Sequence, residues 1–168
     1  MHIEKIYKSI YDFYGDTTPL CVDCGKLCGG ACCESDDNIE TGMYLFPGEE
    51  KLFINNPDFK IIDSEFLYGS KRAKILICKG FCDRSLRPLS CRIFPIIPYI
   101  KSDNFSLIFD PRAKSLCPLT SLSDINELEK DFIKKTKKVI NLLMKFKETR
   151  LFLESLCDIL DDYLNFRI

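Results

Sequence analysis

The chain has 168 residues, of which 46% are hydrophobic and 29% charged, the balance of a soluble globular protein that can bury a core. Its formal net charge is −1, so nothing in the composition favours nucleic acid or an anionic membrane. The longest apolar stretch, residues 93–100, is short and broken by two prolines, and the N-terminus lacks the apolar segment of a signal peptide. We therefore expect a cytoplasmic protein that binds neither nucleic acid nor membrane.

Cysteine is the residue type that carries chemical information, since the chain has ten cysteines and a single histidine, His2. Thiols in the cytoplasm are usually kept reduced, so a cysteine-dense cytoplasmic chain indicates metal binding or redox chemistry before structural disulfides. The scarcity of histidine disfavours both a histidine base and a mixed Cys/His zinc site. If a metal is bound, we expect its ligands to be mostly sulfur.

The first two thirds of the chain predict one helix, a loop and several short strands. An amphipathic helix is predicted over residues 3–14, where Gly15 ends it. Residues 16–42 are too poor in apolar side chains for a core-facing element and are predicted to form a loop. Between Met43 and Asp110 the pattern predicts a short helix over residues 48–54 and strands at 59–62, 74–78, 97–101 and 105–109, the last two forming a hairpin.

The last third of the chain is predicted to be helical. Ser123 or Ser121 is expected to cap a helix whose apolar stripe consists of Ile125, Leu128, Phe132, Val139, Leu143 and Phe146. After a break at residues 147–150, a second helix carries Leu153, Leu156, Cys157, Leu160 and Leu164 on one face. We expect an antiparallel pair over 121–168 that closes over the cysteine-rich half. The prediction is a single α+β domain, 1–168, whose small metal-organised region, 16–118, has short strands and packs against N-terminal and C-terminal helices.

Nine cysteines fall in three groups, and each of the nine is a candidate metal ligand. They are the pentad Cys21, Cys24, Cys28, Cys32 and Cys33, then Cys78, Cys82 and Cys91, and finally Cys117. Two to four intervening residues let one turn present two sulfurs to one ion, and glycines within the pentad let the backbone curl. The tenth cysteine, Cys157, fits the apolar stripe of the last helix and is expected to pack in the core.

The identity of the metal is narrowed by its sulfur ligands. All-sulfur ligation suits tetrahedral zinc or an iron–sulfur cluster and disfavours magnesium and calcium. The pentad spacing x2, x3, x3 is close to the ferredoxin-like x2, x2, x3 run, and Cys117-Pro118 matches the Cys-Pro that ends such runs. Zinc ligands usually come as two pairs, whereas five thiols arrive together here. The spacing thus favours a [4Fe–4S] cluster, with zinc ions as the open alternative.

Two arginines, Arg87 and Arg92, are candidate cofactor-binding residues. Four thiolates around zinc or a resting [4Fe–4S] cluster leave a net charge of about −2, which nearby guanidinium groups would offset. These two arginines flank the predicted turn Pro88–Cys91 and are therefore expected next to the sulfur ligands.

Two motifs resemble a known family. The segment Cys21–Cys33 and the run Arg87-Pro88-Leu89-Ser90-Cys91-Arg92-Ile93-Phe94-Pro95 are similar to the CxxCxxxCC and RPxxCRxFP patterns of the YkgJ-type cysteine-cluster family. Members are described as zinc- or iron-chelating proteins, and the domain also occurs in flagellin lysine-N-methylases. The resemblance covers residues 21–118 and implies metal binding, without a defined reaction. The cluster here has an extra cysteine, and the tyrosine that often follows the family's cysteine before Arg-Pro is absent after Cys82.

Three functions remain open at this stage. The first is an iron–sulfur protein, in electron transfer or as the accessory centre of a modifying enzyme, with metal ions and a redox or other protein as partners. The second is a structural zinc-binding module that binds a partner without catalysis. The third is dithiol redox switching through Cys21 and Cys24, or through the vicinal pair Cys32-Cys33. No phosphate loop, dinucleotide fingerprint or nucleophile elbow is present, so whether the chain is an enzyme stays open.

Overall fold

A computed structural model describes residues 3–33, 42–78, 83–102 and 104–165. The chain forms an α+β fold, as predicted. Its helices are α1 (Ile3–Tyr14), α2 (Gly25–Cys28), α3 (Leu89–Ile93), α4 (Lys130–Leu143) and α5 (Lys147–Asn165). Its strands are β1 (Met43–Tyr44), β2 (Phe59–Tyr68), β3 (Lys71–Cys78), β4 (Ile96–Lys101) and β5 (Asn104–Phe109). Within the described ranges, no helix is long and apolar enough to cross a bilayer.

The strands form two antiparallel sheets. The first has the order β1-β3-β2, and its register pairs Phe59 with Cys78 at one end and Tyr68 with Lys71 at the other. The second is the hairpin β4-β5, which confirms the predicted pairing of these strands. Strands β2 and β3 are longer than predicted. The prediction missed the ends that face each other across the turn, because charged residues there, such as Glu65 and Arg72, interrupt the apolar pattern.

Gly42 lies where the chain enters β1, and the neighbouring strand comes unusually close to it. A Cβ atom at this position would lie 2.4 Å from the Leu76 carbonyl oxygen and 2.6 Å from the Ile75 Cγ2. Only glycine fits here without a shift of the β3 backbone. The close approach brings the start of β1 next to the end of β3, where Cys78 lies.

The helix over residues 3–14 has its predicted bounds, and the two C-terminal helices are present with altered ends. Residues 48–54 form only a 3-10 turn, Glu49–Leu52, in place of the predicted helix. The helix expected to start after Ser121 or Ser123 begins only at Lys130. The turn at Ile125–Glu127 is capped by Asp124, which forms a capping box with Glu127, so the serine cap was wrong: a carboxylate one residue later takes its place. The interhelical break lies three residues earlier than predicted, at residues 144–146, and Leu164 is 47% exposed rather than on a buried face.

One apolar core joins α1, both sheets and the two C-terminal helices. Its largest fully buried side chains include Tyr7, Tyr14, Phe132 and Phe152. The two C-terminal helices contact different neighbours: α4 packs on α1, whereas α5 packs on β4 and β2. Cys157 is buried in this core as expected, and its sulfur accepts a hydrogen bond from the Ile100 amide at 3.2 Å.

Candidate metal centre

The cysteine-rich loop, defined here as residues 16–33, folds through local backbone contacts. The Thr18 hydroxyl donates to the carbonyls of Leu20 and Val22, and the Gly25 amide donates to Asp23 Oδ1 at 3.1 Å. Helix α2 then ends at Gly29 and Gly30, whose φ angles of 64° and 81° are readily adopted only by glycine. This reversal allows a 3-10 turn, Ala31–Cys33, that presents two neighbouring thiols.

Four predicted ligands line one cavity of about 250 Å³. Cys32 and Cys33 reach it from the cysteine-rich loop, Cys78 from the end of β3, and Cys91 from α3. Apolar side chains, among them Met43, Phe59, Leu76 and Phe94, form much of the remaining wall. Thiol-bearing side chains from three separate segments therefore line one cavity. We call this place the thiol cavity.

Three further predicted ligands interact with one another beside the thiol cavity. Burial raises the pKa of the Cys24 thiol, and the charges of Asp23 and Cys117 raise it further. Burial also raises the pKa of Cys117, and Cys28 adds to that rise. Cys28 also contributes to the raised pKa of Cys32, so it lies within electrostatic range of both groups. Seven of the nine candidates thus belong to one neighbourhood that spans four chain segments.

The thiols of the vicinal pair Cys32-Cys33 have pKa values shifted in opposite directions. The Sγ atoms of Cys32 and Cys33 are 4.0 Å apart. The contact with Cys32 lowers the pKa of Cys33, against the effect of burial, and the Arg87 guanidinium lowers it further. The same contact raises the pKa of Cys32, and burial and nearby thiols act in the same direction. Of the two thiols, Cys33 is therefore the more readily deprotonated.

The remaining two candidates are not part of this neighbourhood as described. Cys21 is exposed and lines a different groove, with Asp23 and Arg84, near the start of α4. Cys82 lies outside the described residues. Across the described ranges, no three Cys, His, Asp or Glu side chains are placed so that they could hold one metal ion. The donor chemistry fits a thiophilic metal, but binding would require the thiols to move closer together.

The arginines of the second motif have different positions. Arg87 lines the thiol cavity, where its charge acts on Cys33. The Arg92 guanidinium is buried and donates to the carbonyl oxygens of Arg87 at 2.8 Å, Ser85 at 2.7 Å and Gly15 at 3.2 Å. It also lies 4.3 Å from the centre of the Tyr11 ring. Through these hydrogen bonds Arg92 connects the end of α1, at Gly15, to residues 85–87, which precede Cys91.

Sequence reasoning missed Glu49, which is completely buried. It lies under the N-terminus of α3, and its carboxylate accepts hydrogen bonds from Tyr11, Phe46 and Leu89. In the sequence Gly48-Glu49-Glu50-Lys51 it resembles any exposed acidic residue in a short helix. Its burial is not evident from the sequence, because two of its three donors are 38 and 40 residues away in the chain.

No family model, curated protein or solved structure matches this chain. The similarity of the two motifs to the YkgJ-type family therefore stays a resemblance.

Proposed function

We propose that this protein binds a metal centre through cysteine thiolates in and beside the thiol cavity. The observation that carries the proposal is that Cys32, Cys33, Cys78 and Cys91, from three separate segments, line one cavity. Chance placement of free thiols would scatter them over the surface, as the position of Cys21 illustrates. In a reducing cytoplasm such an assembly is suited to a thiophilic metal rather than to disulfides.

The scarcity of buried side chains in residues 21–33 also favours a bound metal. In this segment every side chain is exposed or half-buried and none is fully buried, although the segment holds five cysteines. A segment without a core needs another source of free energy to stay ordered, and metal binding supplies this in small cysteine-rich folds. This observation favours a structural role for the metal and keeps a zinc-binding, partner-docking module as the second candidate.

An iron–sulfur cluster is the first candidate for the identity of the centre. The number of thiols exceeds what one zinc ion needs, and the pentad spacing is close to that of ferredoxins. The positive charge of Arg87 lines the same cavity and would offset the excess negative charge of the thiolates. Such a centre would transfer electrons, or assist a modification reaction, together with a redox partner protein in the cytoplasm.

Matched cysteine variants test this proposal. We would purify the wild-type chain, Cys91→Ala and Cys157→Ala without oxygen and measure iron, labile sulfide, zinc and the absorption spectrum. Each variant loses one thiol, but only Cys91 lines the thiol cavity, so metal should be lost from Cys91→Ala and retained in Cys157→Ala. Iron with sulfide supports the cluster, and zinc alone supports the structural module. A folded, colourless wild-type protein without either metal would overturn the proposal.

A further inference from the structure

The Glu49 carboxylate is placed between the apolar core and the segment that carries Cys91. Its Oε1 accepts from the Tyr11 hydroxyl at 2.5 Å and from the Leu89 amide at 2.6 Å, and its Oε2 accepts from the Phe46 amide at 3.0 Å. Glu49 and Leu89 are both fully buried, so no water replaces these contacts. Three donors, two of them from distant segments of the chain, therefore depend on one side chain.

The contact with Leu89 bears directly on the thiol cavity. Leu89 is the first residue of α3, and Cys91 follows one half-turn later. A second contact holds the same helix, because the Ser90 hydroxyl donates to the Tyr44 carbonyl. These two hydrogen bonds fix the height and rotation of α3, and with them the direction from which Cys91 meets the cavity.

Holding a helix with a buried carboxylate carries a desolvation penalty. Burial raises the pKa of Glu49 from 4.5 to about 7, although Tyr11, the two backbone amides and the Arg92 charge all act to lower it. Tyr7 is the other titratable group that faces it from α1. Near neutral pH the ionised form thus weakens the fold, while it gives the Leu89 amide its strongest acceptor.

We propose that Glu49 is a positioning residue for the metal centre, which holds α3 so that the Cys91 thiol meets the other thiols of the cavity. This inference rests on the proposed function, since it assigns to Glu49 the control of metal affinity at the same site. Stability alone would be served better by a neutral side chain at this position. If Glu49 only stabilised the fold, removing its charge would leave metal affinity unchanged. If Glu49 positions α3, removing its charge should weaken metal binding even though the fold becomes more stable at high pH.

The test compares Glu49→Gln with the wild-type chain, and uses Glu50→Gln as a control with the same charge change one residue away. Cobalt(II) is titrated into metal-free protein between pH 6 and 9, and binding is followed by the cobalt–thiolate absorption. At each pH the affinity of the variant is divided by that of wild type, so that the effect of thiol protonation, which is common to both, cancels. We expect Glu49→Gln to bind about tenfold more weakly above pH 8, with the ratio approaching one near pH 6. Its fold should meanwhile gain stability relative to wild type as pH rises.

A second measurement separates failure of this inference from failure of the proposed function. In metal-free protein, hydrogen exchange at the Leu89 amide should be faster in Glu49→Gln than in wild type or Glu50→Gln. Unchanged Leu89 exchange, or equal cobalt affinity at every pH, would overturn the positioning role. A wild-type chain that binds no cobalt while Leu89 responds as expected would overturn the proposed function and with it the control of affinity. Should Glu49→Gln not fold, Glu49→Asp keeps the charge on a shorter arm and should bind cobalt more weakly at every pH.

Discussion

The apolar core and the cysteine-rich loop are held together by different physical means. The core encloses Phe132, Phe152 and Leu160 with almost no exposed surface, whereas residues 21–33 bury no side chain. Burial of apolar area stabilises the first region, at about 25 cal/mol for each Å² removed from water. The loop has mainly backbone turns, the Asp23–Arg84 ion pair and its thiols. Apolar burial therefore stabilises the core without a ligand, whereas the proposed function assigns the ordering of the loop to a bound metal.

Arg92 and Glu49 connect the two regions. Arg92 joins the end of α1 to the chain around Cys91 through three backbone carbonyls. Glu49 joins α1 to the start of α3. Both are buried polar groups with at least one partner distant in sequence, so each connects the core to a segment beside the thiol cavity.

The largest effect is expected for a core substitution, Phe152→Ala. The Phe152 ring is 1% exposed and lies 5.5–5.6 Å from the ring centres of Phe46, Phe66 and Tyr68. Its removal should lower the free energy of unfolding by about 3–5 kcal/mol, measured by urea denaturation. The control Leu164→Ala, on the exposed face of the same helix, should cost at most about 0.5 kcal/mol. Equal effects would remove the distinction between the core and the rest.

The next effect is the pH dependence caused by Glu49. Its folded-state pKa of about 7 exceeds the reference value of 4.5, so the native state binds this proton more tightly than the unfolded chain. Its contribution is fully present below pH 4.5 and is lost as pH rises through about 7. The unfolding free energy of wild type minus that of Glu49→Gln should therefore fall by about 3 kcal/mol from pH 4.5 to 8. A flat difference would contradict the burial of a titrating carboxylate.

A smaller loss is expected when the Arg92 link is cut. Lysine keeps the charge but cannot donate to all three carbonyls at once, so Arg92→Lys should cost about 2–3 kcal/mol in urea denaturation. Arg84→Lys is the matched control, because the Arg84–Asp23 pair is partly exposed and should contribute less than about 1 kcal/mol. If Arg84→Lys were the more damaging of the two, the loop and core would be linked elsewhere.

The smallest effect is expected at the surface pair Lys71–Glu148. Both side chains are more than half exposed, at 54% and 56%, and water screens their charges. Lys71→Met should change the free energy of unfolding by at most about 0.5 kcal/mol, and high salt should reduce the difference further. A loss above about 2 kcal/mol would show that surface charges stabilise the fold as strongly as the core does.

The sequence predicted those features that depend on local pattern. The apolar spacing of Ile6, Tyr7 and Ile10 predicted α1 with its observed bounds, and the alternation in residues 97–109 predicted the β4-β5 hairpin. The same reasoning placed Cys157 in the core. Helix ends were less accurate, because the cap at Asp124 is chosen by a hydrogen bond to Glu127 rather than by residue type alone.

The sequence predicted which residue types make up the candidate site, but it predicted their relative positions less well. Cysteine spacing indicated nine candidate ligands but not which of them lie together, and the structure places Cys32, Cys33, Cys78 and Cys91 around one cavity. The spacing could not separate Cys21 from the others, because the turn after Thr18 directs it to another surface. Contacts between distant segments decide the positions of Glu49 and Arg92, and such contacts leave no local signal in one sequence.

We propose that a bound metal, rather than burial in the core, keeps the cysteine-rich loop ordered. The decisive measurement is amide hydrogen exchange over residues 21–33 in anaerobically purified protein, before and after a chelator removes the metal. The loop should lose its protection on chelation and regain it when the metal is restored, while helix α5 stays protected throughout. A loop that is equally protected in the metal-free chain would contradict the claim.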